Sequence, residues 1–134
     1  MSSLKNAIDF HGHLGPYLIL GLRAGELALK ELHCKKYFGL KVNVYGANKK
    51  PQSCLIDGLQ LSTGATYGKG NIQKHAAKSI KIEFINLQDN KKLQIFLKGS
   101  LLKRLASLNS HADSEEFAKR LLKINNRELF ELKQ

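Results

Sequence analysis

One segment, from Pro16 to about Leu32, constrains the fold of this chain most, because apolar residues cover much of its predicted helical surface. Proline fits the first turn of a helix, where its missing N–H group has no intrahelical partner to lose. Gly21 and Gly25 lie one helical turn apart on the same face, which lets another backbone approach closely. We therefore expect a long, well-buried helix that packs closely against a neighbour. Its apolar stripe and the positions that widen the stripe are Leu18, Ile19, Leu22, Ala24, Leu27, Ala28, Leu29 and Leu32.

Other segments show the alternation of a half-buried β-strand. Apolar residues recur at every second position, which predicts strands at residues 39–45, 79–87 and 92–98. Residues 88–90 read Gln-Asp-Asn, so the last two strands are expected to form a hairpin.

Helical patterns lie at both ends of the chain. A short helix is predicted from a cap at Ser2 or Ser3 to Phe10, and two more follow from Leu101, the second capped at Asp113. There is no internal repeat, linker or low-complexity segment. The whole chain of 134 residues is therefore predicted to form a single α+β domain, with a small, mostly antiparallel sheet packed with the N-terminal and C-terminal helices.

The chain is strongly basic, with 22 lysine and arginine residues against 11 acidic ones and a formal net charge of +11. Few of the basic residues are arginine, the residue that reads base edges and forks onto phosphates, which argues against nucleic-acid binding and for a solvated lysine-rich surface. The longest apolar run, residues 17–22, is too short to span a membrane, and the N-terminus lacks the pattern of a signal peptide. Two cysteines do not make a disulfide framework, so we expect a cytoplasmic protein.

A short helix is predicted to begin at Cys54, capped by Ser53 after a break at Pro51. Cys54 and Asp57 lie three residues apart and therefore share a face of that helix. The positive end of the helix dipole favours the thiolate, whereas the nearby carboxylate opposes it. Together the two side chains offer sulfur and oxygen ligands to a metal ion. The alternative interpretation is that Cys54 is simply a small buried hydrophobic residue.

A glycine-rich turn follows this helix, which Gly64 is expected to end as its C′ residue. Residues 68–71 read Gly-Lys-Gly-Asn, and their glycines make positive φ angles available. The spacing from Gly64 to Gly68 is one residue too short for a P-loop, and Gly70 stands where that motif has a hydroxyl side chain. These differences exclude a nucleoside-triphosphate site of the P-loop type.

Two histidines, His11 and His13, flank a glycine in a turn rich in glycine and proline. In an extended segment alternate side chains point to the same side, so this spacing presents two imidazoles to one metal. The alternative is that one of them caps or hydrogen-bonds the helix that follows. His75 and His111 are interpreted as a surface histidine and a loop histidine.

Residues 10–16 read Phe-His-Gly-His-Leu-Gly-Pro, and a Gly-Leu-Arg-Ala-Gly helix follows. This opening resembles the E-subunit family of formylmethanofuran dehydrogenase, which typically reads F-H-G-H-L-C-P there. Residues 54–71 follow the second family signature, approximately C-x-x-D-A-I-Q-x-x-T-G-C-T-x-G-K-G-N, at nearly every position. The resemblance covers residues 3–125. It is to the core domain only, because no cysteine follows Cys54 and many relatives carry a cysteine-rich C-terminal zinc module.

The resemblance implies a homodimer with a cleft between the His-Gly-His turn and the Cys54 helix. It implies a divalent metal, most simply zinc, held by His11, His13 and Cys54. Its candidate catalytic residues are Cys54, Asp57 and Lys69. Its candidate ligand- or cofactor-binding residues are Gln60, Thr63, Gly68, Lys69, Gly70 and Asn71.

Two departures from the family pattern bear on the metal, because Gly15 and Ala65 stand where the family has cysteines. Either His11 or His13 holds a metal together with Cys54, with or without Asp57, or the cleft is free of metal and binds a small polar ligand. The family name also implies a link to a larger molybdenum or tungsten pterin oxidoreductase of methanogenesis and one-carbon metabolism. A non-catalytic accessory or ligand-binding protein is the main alternative, and a basic nucleic-acid binder is a remote one.

Overall fold

In the computed structural model, which describes residues 4–134, the chain has six α-helices, one 3₁₀ turn and a five-stranded sheet. The helices are α1 (Leu4–His11), α2 (Pro16–Leu32), α3 (Leu55–Thr63), α4 (Gly99–Ala106), α5 (His111–Leu121) and α6 (Asn126–Leu129), and the 3₁₀ turn is Gln52–Cys54. The strands are β1 (Leu40–Tyr45), β2 (Ile72–His75), β3 (Lys81–Asn86), β4 (Lys92–Leu97) and β5 (Phe130–Lys133). The predicted α+β class is confirmed.

The sheet has the strand order β2-β1-β3-β4-β5. Strands β1, β3, β4 and β5 pair antiparallel, whereas β2 runs parallel to β1 at one edge. The alternating pattern correctly predicted the three central strands, but it missed both edge strands. In β2 only Ile72 is apolar, so there is no alternation to detect. In β5 the residues Phe-Glu-Leu-Lys alternate, but over four positions only, and Phe130 is the one buried residue.

The predicted central helix is present as α2, with Pro16 in its first turn and eleven of its seventeen residues buried. It packs against α3 at a crossing of glycines. A Cβ added to Gly21 would collide with the backbone carbonyl of Leu55, and one added to Gly58 would collide with the carbonyl of Leu18. Gly25 leaves the space that the Ser62 hydroxyl occupies. The glycine spacing therefore predicted the close approach of another backbone correctly.

One face of the sheet carries the core and the other is open. Alternate strand residues such as Val42, Phe84 and Ile95 are fully buried on the face covered by helices. On the second face the side chains are exposed or partly exposed, except for Asn43. We call this second face the open face; it consists of Lys41, Asn43, Tyr45, Gln73, His75, Lys81, Glu83, Ile85, Lys92, Gln94, Phe96, Glu131 and Lys133.

Several predicted helix boundaries need correction. The cap assigned to Ser2 or Ser3 lies outside the described residues. The predicted cap at Asp113 was wrong: α5 begins earlier, and the Ser110 hydroxyl accepts a 3.0 Å hydrogen bond from the Asp113 N–H group. The start of this helix was therefore predicted three residues too late. Among residues 4–134, no helix combines the length and apolar character needed to cross a bilayer.

Candidate functional site

The site is built on a contact between the end of α1 and the start of α3. Nδ1 of His11 lies 2.6 Å from Oδ2 of Asp57. The His11 side chain is only 9% exposed, whereas that of Asp57 is 35% exposed. Because the carboxylate engages Nδ1, it favours the tautomer with the proton on Nδ1 and leaves the lone pair on Nε2. This Nε2 atom is buried and has no hydrogen-bond partner among the described residues.

Local backbone geometry delivers His11 to this position. His11 is the last residue of α1, and Gly12 follows it with a φ of 105°, a conformation that glycine adopts without strain. The Gly12 N–H group donates a 2.7 Å hydrogen bond to the Ile8 carbonyl and closes the helix. The prediction that His11 and His13 share one side of an extended segment was therefore wrong, because His11 is helical.

Three imidazole rings nevertheless form a row. The ring centroids of His11 and His13 are 4.8 Å apart, and those of His13 and His111 are 5.5 Å apart. The pKa of His13 is lowered, first by burial and then by His11 and His111, while Glu115 opposes the shift. His111 was assigned to a loop but is the first residue of α5. Nothing in the sequence near His111 indicated that the ring contacts the His-Gly-His turn.

Cys54 lies near Asp57, at the junction of the 3₁₀ turn and α3. The predicted cap at Ser53 was wrong, because Cys54 itself occupies the N-cap position and no side chain caps the helix. The pKa of the half-buried Cys54 thiol is raised, first by burial and then by Asp57, with Lys50 opposing. Burial and Asp57 therefore favour the thiol over the thiolate, which is opposite to the effect expected of the helix dipole.

Three of the predicted ligand-binding side chains hold the loop between α3 and β2. The Gln60 amide oxygen accepts from the Tyr67 N–H group at 3.1 Å. The Thr63 hydroxyl donates to the Leu59 carbonyl and accepts from the Ala65 N–H group. The Asn71 side chain makes three hydrogen bonds, to the Thr66 N–H group and to the carbonyls of Tyr37 and Leu40. These atoms are engaged within the chain, which gives the side chains a role in positioning the loop.

The turn at residues 68–70 is exposed at the surface. Gly64 ends α3 with a φ of 77°, as predicted, and Gly70 has a φ of 76°, whereas Gly68 does not use a positive φ. The Lys69 ammonium group lies 5.4 Å from the Phe38 ring centroid and 6.0 Å from that of Tyr37. Both rings are largely exposed. Lys69 therefore forms a cationic and aromatic surface with two residues that the sequence did not single out.

Tyr67 is a second residue that sequence reasoning missed. Burial, and then the Asp57 carboxylate, raise the pKa of its phenol, which therefore lies within electrostatic reach of the His11–Asp57 pair. More than half of the Tyr67 residue is exposed, so a ligand from solvent can reach its hydroxyl group. Tyr67 occupies a variable position of the second signature, which explains why the pattern gave no signal.

This arrangement can bind and exchange protons with a small polar ligand. The imidazole of His11 offers an acceptor at Nε2, the Asp57 carboxylate accepts from its Nδ1, and Cys54 and Tyr67 add neutral donors. Among residues 4–134, no group of three His, Cys, Asp or Glu side chains is placed to hold a metal ion. His11, His13 and Cys54 are thus neighbours of one site without forming a preassembled metal centre.

Comparison with known proteins gives two findings. A family model described as "FmdE, Molybdenum formylmethanofuran dehydrogenase operon" matches residues 10–131. A protein of Archaeoglobus fulgidus described as a probable S-adenosyl-L-methionine-binding protein is 26% identical over 129 residues, which cover 88% of this chain and 35% of the relative. The chain thus spans about a third of the length of that relative.

Proposed function

This chain belongs to the FmdE family, and we propose that it binds a small polar ligand together with a divalent metal in the cleft around His11 and Asp57. The proposed role is in one-carbon metabolism linked to a molybdenum or tungsten pterin enzyme, since the family description names the formylmethanofuran dehydrogenase operon. The residues proposed to act on the ligand are Cys54, Asp57 and Lys69, with Tyr67 added.

The observation that carries this proposal is the orphaned Nε2 atom of His11. A buried polar atom without a partner costs about 1–3 kcal/mol, which a ligand or metal at that position would recover. Histidines that bind metals commonly donate their other ring N–H group to a carboxylate, as His11 does to Asp57. The same arrangement suits a histidine that accepts a proton from a ligand, because the carboxylate fixes the tautomer that leaves Nε2 free as an acceptor.

Zinc is the metal we propose, because imidazole and thiolate are its preferred ligands. The described residues fit it incompletely, since they provide no three-ligand group and the raised pKa of Cys54 favours the thiol. The proposal therefore requires Cys54, with or without His13, to move toward Nε2 of His11 when the metal binds. Bound zinc supplies a Lewis acid that polarises a carbonyl group or a water molecule.

Elemental analysis of protein purified without a metal-affinity tag tests the metal. We expect near-stoichiometric zinc in the wild type and its loss in His11→Ala and Cys54→Ala. His33→Asn is the matched control, because His33 is exposed at the end of α2 and its φ of 50° suits asparagine. Metal-free wild-type protein that also fails to bind added zinc contradicts the metal but leaves the polar ligand to be tested.

The second candidate is a non-catalytic accessory protein that binds S-adenosyl-L-methionine. It is favoured by the description of the Archaeoglobus fulgidus relative and extends to this chain only as a proposal. Isothermal titration calorimetry with S-adenosyl-L-methionine, on the wild type and on Asp57→Asn, tests this second candidate function. Saturable binding that is weakened in the variant, without turnover, supports this second candidate. Absence of binding in the metal-loaded and metal-free wild type refutes it.

We also propose that the chain forms a homodimer and associates with a larger oxidoreductase. The calculated mass of one chain is 15.0 kDa, so sedimentation equilibrium separates a monomer from a dimer directly. A mass of one chain at micromolar concentration refutes the homodimer.

A further inference from the structure

The open face of the sheet carries a row of aromatic and cationic side chains that the site described above does not use. Tyr45 is paired with His75 on β2 and with Lys81 on β3, and the register continues from Lys81 to Phe96 on β4. The His75 ring stacks on that of Tyr45, with centroids 4.7 Å apart and planes 19° apart. Neighbouring strands thus align the row across the sheet, and none of these side chains is fully buried.

Lysines lie over the aromatic rings of this row. The Lys81 ammonium group lies 4.5 Å from the Tyr45 ring centroid, and that of Lys133 lies 5.4 Å from the Phe96 centroid. An ammonium group over a ring is held weakly where water has access, at about 0.5–1 kcal/mol. Another flat π system can therefore take its place, which leaves the lysine charge beside the newly bound group.

The neighbouring row of the open face is rich in amides and is already ordered. Asn43 donates to the Glu83 carboxylate at 3.1 Å, and its amide oxygen lies 2.9 Å from Nε2 of His75. These bonds fix the His75 ring against Tyr45 and engage the Glu83 carboxylate. Gln73 and Gln94 flank this pair in the same row and offer amide donors and acceptors.

Charge on the open face selects the class of partner. Its four lysines, Lys41, Lys81, Lys92 and Lys133, outnumber the two glutamates, Glu83 and Glu131. The excess continues over the β5 edge into a groove of about 840 Å³, where four basic residues outnumber two acidic ones: Lys30, Lys98, Arg127 and Lys133 against Glu31 and Glu131. Two copies of such a face repel each other, whereas a polyanion is attracted to it.

We propose that the open face binds single-stranded nucleic acid, with bases stacked on Tyr45 and Phe96 and phosphates neutralised by the surrounding lysines. Tyr45 and Phe96 stand two strands apart, so about 10 Å separates them. Bases that are unstacked and splayed that far apart are available in a single strand but not within a duplex. The scarcity of arginine argued against reading base edges, but stacking on aromatic rings tolerates any sequence and needs no arginine.

The test is fluorescence anisotropy with fluorescein-labelled, mixed-sequence 12-nucleotide RNA and DNA single strands at 50 and 200 mM salt. Tyr45→Leu and Phe96→Leu keep an apolar side chain on the strand while removing the aromatic ring, and circular dichroism verifies their folding. Lys81→Gln removes one charge from the face. Lys103→Gln, on exposed α4 surface, removes the same charge elsewhere.

We expect each leucine variant to bind about 5- to 150-fold more weakly than the wild type, since stacking contributes roughly 1–3 kcal/mol per base. Lys81→Gln should also lower the salt dependence, with Lys103→Gln unchanged and duplex DNA bound more weakly than single strands. Leucine variants that bind as tightly as the wild type would show simple charge attraction and overturn the proposal. Absence of binding at 50 mM salt would also overturn the proposal. Leucine variants that convert a dimer to a monomer would overturn it as well, because the open face would then bind a second copy of the chain. His11→Ala should not alter this binding, which keeps the test independent of the proposed metal and ligand site.

Discussion

Replacing Gly58 with alanine tests whether the crossing of α2 and α3 depends on the absence of a side chain. Within a helix this change normally stabilises a protein by about 1 kcal/mol, because alanine is the better helix former. At Gly58 the added Cβ would collide with the Leu18 carbonyl and would lie 2.6 Å from the Leu22 nitrogen and 2.9 Å from the Gly21 carbonyl carbon. All of these atoms belong to the backbone, so no rotamer change relieves the collision.

The two effects have opposite signs, and the collision should prevail. Overpacking costs about 1–3 kcal/mol, and a contact with three backbone atoms belongs at the upper end of that range. After subtraction of the propensity gain, we expect Gly58→Ala to lower the free energy of unfolding by about 2 kcal/mol. This corresponds to a decrease in Tm of roughly 6–10 °C for a domain of this size.

Urea unfolding followed by circular dichroism measures the effect. Gly99→Ala is the matched control, because Gly99 begins α4 and an added Cβ there meets no atom within 4 Å. We expect the control to be neutral or slightly stabilising. If Gly58→Ala is as stable as Gly99→Ala, then α2 and α3 do not approach as closely as described, and the reasoning about the crossing is refuted.

Three further predictions concern the site and its loop. Alkylation of Cys54 by iodoacetamide, with the other cysteine replaced by alanine, should have its pH midpoint above that of an ordinary cysteine, because burial and then Asp57 raise the pKa of the thiol. Asp57→Asn should move the midpoint only part of the way down, and an unchanged midpoint would contradict the contribution of the carboxylate. An NMR titration of the His13 ring should give a pKa below the ordinary histidine value, and His111→Asn should raise it slightly, since burial is the larger cause. Because the folded-state pKa is depressed, the contribution of His13 to stability is complete above the unfolded-state pKa and is lost as pH falls through the folded-state value. The wild type should therefore lose more stability than His13→Asn between pH 7 and pH 5, about the range where histidine titrates. Equal losses in the two proteins would contradict a depressed pKa of His13. Asn71→Ala removes three hydrogen bonds and should lower the free energy of unfolding in urea by about 1–2 kcal/mol, because part of the network is exposed. A variant as stable as the wild type would mean that these bonds do not hold the loop.

The sequence predicted those parts of the fold in which burial and local pattern agree. Alternation identified the central strands, and Pro16 together with the apolar stripe identified α2. The edge strands β2 and β5 escaped because pairing with β1 and β4 holds them extended, whereas their own residues are mostly exposed. A strand formed by its neighbour leaves little trace in its own sequence.

The site was predicted in its composition but not in its geometry. His11, Cys54 and Asp57 were named from spacing and resemblance, yet the contact between His11 and Asp57 joins residues 46 positions apart. The spacing of His11 and His13 suggested an extended pair, because the end of α1 could not be located within one residue. Tyr67 and His111 reach the site only through the packing of other elements, which local patterns do not report.

The contact between His11 and Asp57 also determines how firmly the beginning of the chain is held. A helix as short as α1 is not stable alone in water, and Ala7 is its only fully buried residue among those described. Its docking thus depends on Ala7, on the partly buried Leu4 and Ile8, and on the imidazole that also lines the site. Anything that occupies Nε2 of His11 would favour the docked state of α1, so amide hydrogen exchange in this first helix should slow when the site is filled. Since α1 has one fully buried residue and α2 has eleven, we expect exchange in α1 to respond to occupancy of the site before exchange in α2 does.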